Sequence, residues 1–190
     1  FPSKFQNAVA NQLERIGVNI HTNCEITAAN KTSVTVHGDS EIEYGEFIWT
    51  GGIQGPQAVN EASRPEIRAD LRYKTNTFMA GDCAHVIDNE GKRVPASAQA
   101  AVQQGKVVAT NIHRCIQSDR SNELPKLERF RFNAPGWAVS IGDTAVAIIG
   151  SSIVTGKPAQ VMKATAGIRY LATAGNISES LGLLREEIYL

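Results

Sequence analysis

The chain has 190 residues, 42% hydrophobic and 20% charged, which is ordinary for a globular protein and long enough for one or two domains with a sizeable core. Its 19 Lys and Arg balance 19 Asp and Glu, which argues against a nucleic-acid binder, for which a basic excess or stripe is expected. Cys24, Cys83 and Cys115 show no close spacing, so neither a zinc site nor a disulfide framework is indicated, and a reducing, cytoplasmic setting is expected.

In chain order, Pro2 to Ile16 reads as an amphipathic helix with Phe5, Val9, Leu13 and Ile16 on one face and Gly17 as its stop. Val18 to Thr22 is a short extended piece. Three alternating segments follow, Glu25 to Ala29, Ser33 to Val36 and Glu41 to Tyr44, separated by turn residues, which predicts a small antiparallel meander. Phe47 to Thr50 is apolar without alternation and ends at Gly51-Gly52, the pattern of a buried parallel strand whose backbone must turn closely or approach a ligand. Trp49 is expected in the core.

Ile53 to Pro65 looks like a crossover or linker, and Ile67 to Leu71 and Thr77 to Ala80 are the next strands. The second of these ends in Gly81-Asp82. A loop then leads to a long helix that starts near Ser97, with a stripe of apolar or small residues at 98, 101, 102, 105, 108, 109, 112, 115 and 116. Ser118 to Leu124 is a polar connection and the tail begins at Lys126. Gly136 to Ile141 and Ala145 to Ile149 flank Gly142-Asp143-Thr144 as a hairpin. Pro158 to Ala174 and Ser178 to Ile188 are the last predicted helices, the first with Pro at its start. The longest apolar run, Ala145 to Ile149 continuing weakly to Val154, is too short to span a bilayer, and no signal peptide opens the chain. A helix begins almost at Phe1, so a fragment or a processed chain is expected.

The stretch from Thr77 to Gln117 carries most of the chemistry. Asp82 at a strand end either caps the following turn or accepts hydrogen bonds from sugar-like hydroxyls. The unpaired N–H groups and positive dipole end at the start of the long helix favour an electron-rich or anionic ligand, with Ser97 as the N-cap. Gln99 and Gln103 lie four apart on one face with Ala98, Ala101 and Gly105 around them; this is either a solvated face or room for a flat ligand that takes hydrogen bonds. His85 lies in the loop before the helix, where a histidine is either solvated or a proton relay. His21, His37 and His113 show no metal-ligand spacing. Cys83 reads as a small buried thiol.

These residues resemble a known family. F-M-A-G-D followed by the helix is similar to the second flavin-binding motif of flavoproteins with two dinucleotide-binding domains. A-Q-A-A-V-Q-Q-G, Ala98 to Gly105, fits the AQxAxQxG pattern of type II NADH dehydrogenases at every specified position. I-W-T-G-G at Ile48 to Gly52 resembles the run with which their NADH domain returns the chain to the flavin domain. P-G-W-A-V-S-I-G-D-T-A-V-A, from Pro135, is similar to their C-terminal stretch. The resemblance implies an α/β fold, a partial FAD/NAD(P)-binding two-dinucleotide-binding-domain fold with a small antiparallel β-meander and a C-terminal α+β region. It implies that 1–52 is the distal part of an NADH-binding domain, 53–117 the distal part of an FAD-binding domain, and 118–190 a C-terminal domain for dimer or membrane-surface contact. Gly81 and Asp82 would then hold the ribityl and pyrophosphate part of FAD, and the N–H groups of Ala98 and Gln99 would meet the ring. Gly51 and Gly52 would lie on the NADH side, and Gln99 and Gln103 on the side of a quinone, with Trp137 covering the quinone end. The implied partners are NADH and a quinone, with a homodimer that covers exposed apolar edges; peripheral contact with the inner face of the cell membrane and a plain core or dimer role for the tail helices both stay open.

The sequence departs from the family in having no GxGxxG, so both phosphate-cradling loops are missing and the isolated chain is expected to be inactive. Two alternatives stay open: a sulfide:quinone oxidoreductase-like flavoprotein, and a non-catalytic interaction module that kept only part of the fold.

Overall fold

The computed structural model describes residues 1–38, 40–53, 64–121, 123–134 and 136–173. The chain divides into two compact units, one formed by Phe1–Phe47 with Pro135–Leu190 and the other by Ile48–Ala134. The fold is α/β, with small antiparallel sheets beside three α-helices among the described residues.

The first unit begins with α1 (Ser3–Arg15). It ends as its sequence predicts. Gly17 adopts φ +85°, its N–H bonds the Glu14 carbonyl and the Val18 N–H reaches back to Leu13, the paired closure that satisfies the last carbonyls of a helix. The meander consists of β1 (Ile26–Ala29), β2 (Ser33–Val36) and β3 (Ser40–Glu43) in order β1-β2-β3, antiparallel throughout. Asn30 makes its first turn: the side-chain oxygen accepts the N–H groups of Thr32 and Ser33, each at 2.8 Å. Val18 to Thr22 forms no strand.

A second sheet in this unit contains β8 (Gly136–Ile141), β9 (Thr144–Ile149) and β10 (Ser152–Thr155), with β9 central. The hairpin is present as expected; β10 extends it by a strand that Gly150-Ser151 turns back. Ala145, Val146, Ala147 and Ile148 are all buried, because β9 is covered on both faces. Val146 and Ile148 meet Phe5 of α1. Ala145 and Ala147 meet Ala159 of α3 (Lys157–Thr173), and small side chains on both sides let that helix come close. Trp137, half-buried, joins the first of these clusters and stands edge-on to Phe1 with ring centroids 4.9 Å apart. The predicted helix at 178–188 lies outside the described residues.

The second unit has very short strands: β4 (Glu66–Ile67), β5 (Arg72–Lys74), β6 (Thr77–Phe78) and β7 (His85–Val86). Three expectations fail here. Phe47 to Thr50 is not a strand; Ile48 is 74% and Trp49 63% exposed, so neither belongs to a core. Ile67 to Leu71 stops after Ile67, because a turn closes from the Leu71 N–H to the Arg68 carbonyl and leaves Leu71 at φ +59°. Thr77 to Ala80 is a strand only over Thr77 and Phe78, in an antiparallel hairpin with β5 that the Met79 N–H extends to the Leu71 carbonyl, whereas the parallel pair is β4 with β7.

Helix α2 (Ala98–Ser121) lies on the core of Ile67, Leu71, Met79, Ala84, Val86, Val94 and Phe130. Its buried face is Ala100, Gln104, Val107, Asn111 and Ser118. The predicted stripe is offset from it: Val102, Ile112 and Ile116 are exposed, and Ala101, Val108 and Cys115 are half-buried. Polar residues took the inner face because their amides satisfy backbone groups there. Asn111, fully buried, donates to the carbonyls of Asp70 and Glu128, both at 3.0 Å, and accepts the Glu128 N–H at 2.7 Å. It thereby fixes residues 123–134, whose Phe130 bonds Ala69 and Asn89 through the backbone.

Asn111→Ala removes these bonds and leaves three backbone groups, of half-buried Asp70 and of Glu128, without the partner that the buried amide supplied. A loss of about 2–4 kcal/mol is expected. Ile112→Ala, on the exposed face, should change stability by less than about 1 kcal/mol. Urea unfolding of the two variants side by side checks this.

Candidate functional site

The site is built where the chain leaves β6. Gly81–Cys83 makes one 3-10 turn between two extended residues, Ala80 and Ala84. Gly81 has φ +79°, a left-handed conformation that disfavours any side chain. A Cβ there would lie 3.4 Å from that of Ala101, so the turn rests on the early part of α2. Gln104, only 2% exposed, locks it in place: the Gly81 N–H donates to Gln104 Oε1 at 2.6 Å. Asp82 points to solvent, and among the described residues no hydrogen bond or ion pair holds its carboxylate.

One helical turn away, Ser97 caps α2, its Oγ accepting the Ala100 N–H at 3.3 Å and its carbonyl the Ala101 N–H at 3.0 Å. No acidic side chain occupies the first turn, so the positive end of the helix dipole is not neutralised from within it. Ala98 is exposed and Gln99 half-buried. The Gly81 turn therefore rests on the helix whose first residues are Ala98 and Gln99.

Other candidates are placed differently. Gln103 closes a ring with the backbone of Asn133, donating to its carbonyl at 2.9 Å and accepting its N–H at 3.1 Å, so it would have to release Asn133 to meet a ligand. Gly51 and Gly52 lie in an exposed segment; a Cβ on Gly51 would meet the Trp49 ring at 3.2 Å and one on Gly52 nothing within 4 Å. Cys83 is half-buried and donates to the Ala80 carbonyl at 3.2 Å, and all three cysteines are free thiols.

His85 belongs to β7, not to a loop, and is paired with Glu66 in the parallel ladder. Burial is the main cause that holds its pKa below the ordinary value of 6.5, followed by the charges of Arg64 and Arg93, with Glu66 opposing them. Gln104 stands with Gln99 and Gln103 among the helix glutamines expected on a solvated face, yet it is buried. Its signal was its place between Ala100 and Val107 on one helical face, where a polar side chain among small apolar ones must have a buried partner.

Residues 1–105 match the family model described as pyridine nucleotide-disulphide oxidoreductase. A type II NADH:quinone oxidoreductase of Staphylococcus aureus (strain NCTC 8325 / PS 47) is 28% identical over 190 residues, covering 93% of this chain and 46% of its own length. The chain thus spans about half the length of the curated relatives it matches. NDH2 from Plasmodium falciparum, solved with NADH, superposes on 100% of this chain and 55% of its own with a TM-score of 0.69 at 13% identity. The same protein solved with RYL-552 gives a TM-score of 0.70 at 13% identity, over 100% of this chain and 56% of that one. At that identity the likeness is one of fold.

The lowered pKa of His85 sets a sign for pH dependence. The folded chain binds this proton less readily than the unfolded one, so the contribution is complete above about 6.5 and is lost as pH falls through the lower folded value. His85→Gln should therefore flatten the decline in stability on the acid side of 6.5. Denaturant unfolding between about pH 7 and pH 5 measures this, and an NMR titration should place the His85 midpoint below the ordinary value of 6.5.

Proposed function

The chain belongs to the pyridine nucleotide-disulphide oxidoreductase family, and from that premise we propose that it carries the distal half of a flavin site in an enzyme passing electrons from NADH through FAD to a quinone. The observation that carries this reading is the Gly81-Asp82 turn, held by Gln104 against the first two turns of α2, with an exposed carboxylate at Asp82 and a helix start free of acidic residues. Those residues fit the group. A bare backbone at Gly81 favours the turn, Asp82 offers two acceptor oxygens to ribityl or ribose hydroxyls, and the helix end favours negative charge.

In this proposal Gly81 and Asp82 orient the sugar-phosphate part of FAD, while Ala98 and Gln99 turn N–H groups toward the ring. Gly51 and Gly52 lie on the NADH side and Gln99 with Gln103 on the quinone side. FAD, when bound, supplies the two-electron chemistry; the protein supplies binding, orientation and electrostatics. Residues 1–52, 53–117 and 118–190 are assigned by descent to the distal NADH domain, the distal FAD domain and the C-terminal domain. The exposed Val102, Ile112 and Ile116 support a partner surface, and a homodimer is proposed to cover such apolar faces. No helix among the described residues is long and apolar enough to cross a membrane. Peripheral contact through the tail, on the cytoplasmic face, is part of the proposal.

Without a GxGxxG the chain supplies no phosphate-cradling loop, so it should hold FAD and NADH weakly and be inactive alone. A purified chain is expected to emerge from gel filtration without a flavin spectrum; a retained spectrum would count against this. In an assembly that does supply the Gly-rich loops, Asp82→Ala should weaken FAD binding roughly 10- to 100-fold, the worth of a hydrogen bond or two to a charged group. Steady-state oxidation of NADH against sulfide in the same assembly separates the quinone-reducing reading from the sulfide:quinone alternative.

A further inference from the structure

We propose that Gln104 is a positioning residue for this site: by accepting the Gly81 N–H it sets the Gly81-Asp82 turn in register with the start of α2, and ligand affinity depends on that register. Gln104 occupies the fourth residue after Ala100 on the inner face of the helix and is 2% exposed. A long side chain buried so completely costs conformational freedom and desolvation unless its polar end is used. The use is visible. Its Oε1 lies 2.6 Å from the Gly81 nitrogen, short for a bond of this kind.

Cys83 ties the far end of the turn, packing against the core and donating to the Ala80 carbonyl at 3.2 Å, and few restraints act at Gly81 itself. Gly81 has no side chain, its left-handed backbone is accessible mainly to glycine, and glycine has the most conformational freedom to lose. The β6 strand ends at Phe78, so no sheet hydrogen bond reaches residues 81–83 from that side. Within the turn the Ala84 N–H bonds the Gly81 carbonyl at a weak 3.5 Å. The Gln104 bond and the 3.4 Å approach to Ala101 are therefore what ties Gly81 to α2. Both fall on the first two turns of the helix whose start carries Ala98 and Gln99. Gln104 thus acts on the ligand through Gly81 and touches no ligand itself.

The bond is independent of any ligand, whereas the consequence for affinity rests on the flavin reading above. Three variants separate the two. Gln104→Met keeps the volume and removes the acceptor; Gln104→Ala removes it and leaves space for water to satisfy the Gly81 N–H; Gln104→Glu restores an acceptor oxygen at the same reach. Amide hydrogen exchange reads the Gly81 N–H directly, with the Met79 and Val94 amides, both bonded within the same unit, as controls for the fold. FAD titrated to millimolar concentration, followed by the amide shifts of Gly81 to Cys83 and Ala98 to Ala100, reads weak binding without any activity assay.

Protection of the Gly81 amide should fall at least tenfold in Gln104→Met while the control amides keep theirs. FAD binding should weaken about tenfold in that variant and recover to within about threefold in Gln104→Glu. Gln104→Ala carries the same two expectations if the methionine variant does not fold. Unchanged protection at Gly81, or lost protection with unchanged FAD affinity, would overturn the positioning role. Wild-type amides that do not move with FAD overturn the flavin reading, and with it the ligand consequence, even where exchange reports the bond.

Discussion

Side-chain amides on α2, those of Gln104 and Asn111 buried and that of Gln103 half-buried, do in the Ile48–Ala134 unit what a sheet does elsewhere. The strands there are two or three residues long and cannot pair most of their own backbone groups. Gln104 takes the Gly81 N–H, Asn111 takes two carbonyls and an N–H, and Gln103 takes both backbone groups of Asn133. Each bond joins the helix to a segment remote in sequence. The loop carrying Asp82 and the extended run at 123–134 are thereby fixed to one rigid element. A net hydrogen bond is worth only about 1 kcal/mol, but a buried group left unmade costs more, so this arrangement holds as a set.

The other unit rests on a different constraint. Its sheet is covered on both faces, so β9 must be apolar at every buried position, large toward α1 and small toward α3. The alternation of Ala with Val and Ile along Ala145–Ile148 is a packing code of that kind. Segments from opposite ends of the chain meet here, since α1 precedes the sheet by more than a hundred residues in sequence. Closing such a long loop carries an entropic cost that rises only slowly with length, and the burial of Phe5, Val146 and Ile148, roughly 1.5–3 kcal/mol each, offsets it.

Charge is arranged in the same local way. The balanced totals conceal a helix start free of acids, an exposed carboxylate at Asp82 that no group holds among the described residues, and a histidine, His85, under the charges of Arg64 and Arg93 with Glu66 opposing. Glu90 is held to Lys92 at 2.8 Å and to Arg131 at 2.6 Å, which keeps its carboxyl below the ordinary value, through the hydrogen bond to Lys92 first and the Arg131 charge next. Those ion pairs lie on the surface and contribute little to stability.

The sequence by itself determined the elements whose signals are local. α1 follows from the spacing of Phe5, Val9 and Leu13 with Gly17 behind them, the meander from alternation and turn residues, and the hairpin at 136–149 from Gly142-Asp143 between apolar runs. The turn at Gly81 and the helix start behind Ser97 were legible too, because a glycine and a capping serine carry positional meaning without their neighbours. Tertiary structure decided the rest. Apolar side chains at Ile48, Trp49, Val102, Ile112 and Ile116 look like core in any window of sequence, yet they are exposed. Glutamine and asparagine look like surface, yet Gln104 and Asn111 are buried. A short apolar run says that a segment can be buried, but not against what. An amide belongs inside only when a backbone group from a distant segment arrives to meet it, and that arrival is a property of the fold, not of the local sequence.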